Sequence, residues 1–442
     1  MAVLSTGTTQ MAHDSGLEGT NVRAMSIATT LFFMWGFLTC LNDILIPHLK
    51  AIFDLNYTMA MLVQFAFFSS YFVFALPAGK IVEIAGYKRT MIIGLLTMTV
   101  GALLFLPASK APSFPLFLGA LIVLAAGITV LQVAANPYVA HLGPPRTASS
   151  RLNLAQAFNS FGTFLAPFFG AAVILSHIPK VPNAAALTGA ALQQSRIVEA
   201  SSVQIPYLGI ALALAALAVA LALVQLPPMD FTQDIRPGEA NPLTTDRLRN
   251  HPQLFLGALG IFLYVGAEVA IGSFLINYFQ LPNIGNLTAA EAARYVALYW
   301  GGAMIGRFIG SAVLQRVKTG KLLTLNAAVA FCLVITSILT HGHIAMFALL
   351  FVGICNSIMF PSIFTLGIQD LGPLTSKGSS LMIASIVGGA LIPEATGKLA
   401  DAIGLHHAFI IPAICYVYIA AYGVASIKRP AGSDTLLPAE PV

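Results

Sequence analysis

The chain has 442 residues, of which 57% are hydrophobic and 9% charged, with a formal net charge of +5 and a mean hydropathy of +0.83. A soluble domain carries about 25% charged residues, so this composition excludes a water-soluble globular protein and points to one embedded in a lipid bilayer. The basic excess is dispersed through short loops, which is the pattern of membrane topology and argues against a nucleic-acid partner.

Residues 1–25 are polar, lack an apolar core with a small-residue cleavage site, and read as a tail without a removable signal peptide. Apolar runs then recur near 26–49, 58–83, 90–109, 114–141, 151–176 and 206–227. A second set lies near 252–280, 292–315, 322–340, 343–369, 378–402 and 407–427. Each is about the 20 residues that cross ~30 Å of hydrocarbon. None shows the alternation of an outer-membrane barrel, so helices are the spanning structure expected. The predicted fold is an all-α membrane protein of twelve helices, in two six-helix bundles at 26–227 and 252–427. A polar linker at 228–251 joins them, and 428–442 forms a second polar tail.

An even number of spans puts both ends on one side. That side carries sixteen Lys and Arg against six opposite, Arg307 being counted among the sixteen, so both termini are expected in the cytoplasm of a bacterial-type inner membrane. The four cysteines, Cys40, Cys332, Cys355 and Cys415, fall in apolar segments and read as small membrane hydrophobes. His48, His177, His341 and His343 sit at predicted helix ends, where interfacial placement is the ordinary expectation.

The halves echo one another. LGPPRTASS at 142–150 follows the fourth span and LGPLTSKGS at 371–379 the tenth, an offset of 229. A duplicated six-helix unit is the layout of transporters that rock two bundles about a central site. Between the second and third spans, GKIVEIAGYKR (79–89) sets Gly79, Glu83, Gly86, Lys88 and Arg89 in an order similar to the major facilitator loop signature. Its glycines allow a tight turn and close helix approach, and Glu83 can pair with Lys or Arg to latch the cytoplasmic side.

Two carboxylates stand at membrane depth, Asp43 in the first span and Glu268 in the seventh. Such a charge costs about 2.5–3.5 kcal/mol on the insertion scale and therefore faces a bundle interior or a wet path. One in each half points to proton- or cation-linked transport, with a structural hydrogen bond to a neighbouring helix as the plainer role. A third acid, Glu394, lies four residues before Lys398 and reads as a local pair.

Amides group by helical spacing. Gln132 and Asn136 are four apart, as are Tyr264 and Glu268, while Gln156 and Asn159 are three apart, so each pair shares a face. Helix–helix hydrogen bonding or a wet cavity would satisfy them. Four amides beside two acids favour a hydroxyl-rich ligand such as a sugar, because amides both donate and accept. Trp35 offers a ring for a sugar's apolar face or for interior packing, Asn42 adjoins Asp43 about 100° around the helix, and Asn356 and Phe360 complete the candidate walls.

Five segments carry a family resemblance: FFMWGFLTCLNDILIPHL (32–49), LQVAANPYVAHLGP (131–144), SSRLNLAQAFNSFGT (149–163), YVGAEVAIGSFL (264–275) and FPSIFTLGIQDLG (360–372). Across 26–427 the chain resembles the fucose–galactose–glucose:proton symporter family of the major facilitators. The resemblance implies import of a hexose-type monosaccharide coupled to protons by alternating access. It maps the family's first-helix acid onto Asp43. In the fucose branch a second acid occupies the fourth helix, where this chain has Gln132, and an amide stands where this chain has Glu268. That exchange makes the chain more similar to the glucose/galactose and N-acetylglucosamine members.

The expected cycle starts with Asp43, and then Glu268, taking a proton while facing outward, because burial disfavours the charged form. Sugar then binds Gln132, Asn136, Gln156, Asn159 and Glu268, and the halves rock. No cofactor beyond the coupling ion is expected, with sodium open as its alternative, and a functional monomer is expected. Two other readings are a sodium-coupled or fucose-type carrier and an efflux pump for organic cations. No H-x-x-x-D, G-x-S-x-G or G-x-x-x-x-G-K-[ST] motif supports an enzyme or an ATP-driven pump.

Overall fold

Gly86 divides the longest helix of the computed structural model. That structure describes residues 20–53, 57–110, 113–169, 204–227, 229 and 247–428, with the side chains of 39, 41–53, 57–64, 289 and 290 outside the description. The first helix, α1 (Val22–Phe53), is followed by α2 (Tyr57–Lys110) of 54 residues. A straight helix of that length would run ~80 Å, far more than one bilayer crossing needs. Gly86, at φ 77° and ψ 168°, turns the chain between two arms. This backbone region admits glycine and strains any other residue. The two arms correspond to the second and third predicted spans.

Next come α3 (Phe114–Ala140), α4 (Ala148–Phe169) and α5 (Gln204–Leu223). The other half contains α6 (Pro252–Gln280), α7 (Ala289–Val313) and α8 (Thr319–Leu339). Its last three crossings are each broken into two pieces. These are α9 (Gly342–Asn356) with α10 (Met359–Ile368), α11 (Thr375–Ala384) with α12 (Gly388–Ile403), and α13 (Leu405–Ala408) with α14 (Ile410–Ile427). The described helices make twelve crossings, in the two-bundle fold expected. Nine helical stretches among the described residues are long and apolar enough to span a membrane. Helix α4 is not one of them, since Ser149, Ser150, Arg151, Asn153, Gln156, Asn159 and Ser160 make it polar.

The sequence repeat has a structural counterpart. A single 3-10 turn, Pro145–Thr147, leads into α4, and another, Gly372–Leu374, leads into α11. Both helices then pack across the seam between halves, α4 on α7 and α11 on α2. Arg151, in the first turn of α4, donates to the carbonyls of Val139, Ala140, Gly143 and Pro144, closing the unsatisfied end of α3.

One expectation needs correcting. Arg307 was counted with the cytoplasmic loop charges, but it lies inside α7, six residues before Val313, with 13% of its side chain exposed. It fell within the predicted eighth span, and removing it leaves the basic excess intact. Residues 1–19 of the first tail, most of the 228–251 linker and residues 429–442 of the last tail lie outside the described residues, as does His177.

Candidate functional site

Close helix approach fixes the floor of the first half. A Cβ on Gly36 would run into the Asn159 carbonyl, and one on Gly162 into the Phe33 carbonyl, so α1 and α4 meet backbone to backbone. Asn159 Nδ2 donates to the Phe32 carbonyl at 3.1 Å, and Thr163 Oγ1 to the Gly36 carbonyl at 3.2 Å. Asn159 therefore serves helix packing through its donor. Trp35 is buried on the same stretch, its ring centroid 5.0 Å from that of Phe32. Asp43 and Asn42 lie on α1, but their side chains fall outside the described residues, as does that of His48.

The α3 amides are differently placed. Gln132 and Asn136 are both buried. Gln132 Nε2 donates to the Tyr71 hydroxyl at 2.9 Å, while its Oε1 has no hydrogen-bond partner among the described residues. Neither side-chain atom of Asn136 has one among the described residues. A buried polar atom left unpaired costs about 1–3 kcal/mol, and native structures contain few of them. Gln156 is buried one turn before Ser160, on the α4 face that meets α7.

In the second half, Asn356 is the hub of a phenol network. Its Nδ2 donates to the Tyr299 hydroxyl at 2.9 Å and its Oδ1 accepts from Tyr416 at 2.8 Å. Its main-chain carbonyl accepts from Tyr264 at 3.1 Å. The Tyr264 hydroxyl also faces the Glu268 carboxylate, one helical turn on. That hydroxyl has one proton, so it serves the carbonyl or the carboxylate, and a protonated Glu268 can instead donate to it. Phe360 is buried and stacks on Phe364, with centroids 6.0 Å apart.

Arg307 joins the halves. Its Nη2 lies 3.8 Å from Glu268 Oε1, and its Nη1 donates to Ser160 Oγ on α4. Asn153 Nδ2 of α4 donates to the Arg307 main-chain carbonyl at 2.7 Å. Sequence reasoning missed Arg307, along with Tyr71, Tyr299, Tyr416 and Ser160. A signal was present for Arg307: an arginine within a predicted span needs an acid, and few acids lie at that depth.

Contacts between halves run from this depth to the face that carries the described ends of the chain. Ser149 Oγ lies 2.6 Å from Thr365 Oγ1, Ser150 Oγ donates to the Ser311 carbonyl at 2.7 Å, and Ser379 Oγ donates to the Val133 carbonyl at 2.8 Å. At the rim Glu83 lies 3.1 Å from Lys80 and 3.5 Å from Lys377 of the other half. Gly79 abuts Ser380, where a Cβ would clash. Lys88 Nζ donates to the Ala222 carbonyl at 2.8 Å, Gly86 makes the turn, and Arg89 is exposed. Glu394 and Lys398 form an exposed pair at 2.7 Å on α12, apart from the cluster around Glu268.

Two helical bundles meeting at a polar seam, with an acid–arginine pair at membrane depth, define an alternating-access transporter. The Major Facilitator Superfamily profile matches residues 25–393. A Brucella abortus glucose/galactose transporter is 51% identical, over 92% of this chain and 94% of that protein. The Escherichia coli L-fucose-proton symporter is 35% identical, over 92% and 93%. A crystal structure of the major facilitator transporter FucP in the outward conformation superposes with a TM-score of 0.83 at 34% identity, covering 91% of this chain and 98% of that one. The chain belongs to the Major Facilitator Superfamily, in the family of these sugar transporters, and is a multi-pass membrane protein.

Proposed function

We propose that this chain imports a hexose-type monosaccharide, glucose or galactose first, together with a proton, by alternating access across a bacterial inner membrane. The observation that carries the ligand class is the set of buried side-chain atoms on Gln132, Asn136 and Glu268 that have no hydrogen-bond partner among the described residues. A ring bearing several hydroxyls offers both donors and acceptors to such atoms. The names of the relatives support sugar as that ligand.

In this reading Asp43 and Glu268 carry the proton, and Gln132, Asn136 and Gln156 hold sugar hydroxyls. Asn159, tied to Phe32, orients α4 against α1 and offers its carbonyl oxygen. Trp35, Tyr264, Asn356 and Phe360 shape the surroundings, Asn42 sits beside the first acid, and Glu83 latches the face of the termini. That face is the cytoplasmic one, as the Lys and Arg excess supports. Its closure among the described contacts supports an outward-facing state, and the chain works as a monomer.

Asp43→Asn tests the coupling. In proteoliposomes the variant should lose accumulation against a gradient by about tenfold or more while retaining sugar counterflow. Full pH-dependent accumulation by Asp43→Asn would remove that residue from the mechanism. Sugar-pulsed proton uptake in sodium-free buffer separates proton from sodium coupling, and competition by fucose, glucose, galactose and N-acetylglucosamine ranks the substrates.

A further inference from the structure

Arg307 is tied to two things that must change during transport. Nη2 faces Glu268 within its own half, 3.8 Å away, while Nη1 donates to Ser160 in the other half. Its main-chain carbonyl is held by Asn153, so α7 meets α4 at this residue through both backbone and side chain. Only 13% of the Arg307 side chain and 12% of that of Glu268 are exposed. A largely buried charge that loses its partner is strongly disfavoured. Whatever removes one partner of Arg307 therefore raises its demand on the other.

We propose that Arg307 is the positioning residue that drives the coupling proton off Glu268 when the face of the termini opens, an inference that rests on the proton-symport reading above. With that face closed, the guanidinium has Ser160 as an acceptor, and Glu268 can hold a proton. As α4 draws away from α7, Ser160 and Asn153 leave with it. Arg307 then has the Glu268 carboxyl group in its own half, and a neutral carboxyl would leave the cation unpaired. The O–H bond of Glu268 breaks, the proton passes to water on the newly opened side, and the carboxylate pairs with the guanidinium. Among the described residues the other groups facing Glu268 are the phenols of Tyr264 on its own helix, Tyr299 on α7 and Tyr416 on α14. None of the three carries positive charge, so Arg307 alone in this set can draw the carboxyl group into its ionised form.

The test uses the full-length protein in proteoliposomes whose lumen corresponds to the side of the termini, with counterflow, net uptake and proton uptake read on the same vesicles. Arg307→Gln should keep glucose or galactose counterflow within about twofold while net uptake falls by about tenfold or more. An alkaline lumen should restore that net uptake, since bulk base then removes the proton the guanidinium no longer expels. Arg307→Lys keeps the charge and should retain net uptake at neutral luminal pH. Unaltered net uptake by Arg307→Gln, or joint loss of counterflow and net uptake at every luminal pH, overturns the proposal. Sugar uptake without proton uptake by the unaltered protein would instead overturn the symport reading, and this inference with it.

Discussion

The two halves treat their buried amides in opposite ways. Asn356 has both side-chain atoms and its carbonyl engaged by Tyr299, Tyr416 and Tyr264. Asn136, equally buried, has no side-chain hydrogen bond among the described residues. A satisfied buried network fixes one arrangement, whereas an unsatisfied group is held at a cost that a ligand can relieve. The second half thus holds a charge pair in a fixed frame, and the first half presents amides with unused capacity.

Breaking the frame should have the largest effect. Asn356→Leu removes the partners of two buried phenols and should cost about 2 kcal/mol or more of stability, read as a lower melting temperature in detergent. A variant that melts like the parent would mean that the network is not a frame.

Asn136→Leu sharpens the contrast from the other side. Replacing an unpaired buried amide by an apolar side chain of similar volume should raise stability by about 1 kcal/mol while sugar transport falls by tenfold or more. Lower stability with intact transport would put Asn136 among the packing residues. The smallest effect belongs to the rim. Glu83→Gln should cost less than about 1 kcal/mol, because its cross-half partner Lys377 is 54% exposed. Salt should erase the difference, so melting curves at low and high ionic strength check it.

Much of the architecture was legible because lipid imposes length and apolarity on every crossing. The i,i+4 spacing of Tyr264 and Glu268 already put the phenol beside the acid. What stayed hidden was which helices face each other. The partner of Glu268 comes from α7, and a charge count built for loops absorbed Arg307 into topology. Gln132 and Asn136 looked alike in the sequence, and only packing distinguishes an amide bonded to a phenol from one with no hydrogen-bond partner among the described residues. The second and third spans were legible as separate crossings, and Gly86 turns the chain between them without leaving a loop.

The seam along α4 has a kinetic meaning. Ser149, Ser150, Asn153 and Ser160 join the halves through hydroxyls, one amide and main-chain carbonyls, with Arg307 as the one charged participant among the described contacts of α4. Water can replace each such bond nearly in kind. A seam of that make-up unzips in small steps, each wetted as it parts, so its speed follows the advance of solvent along the helix. The guanidinium lies at the deepest tooth, and it is the last to feel the water arrive.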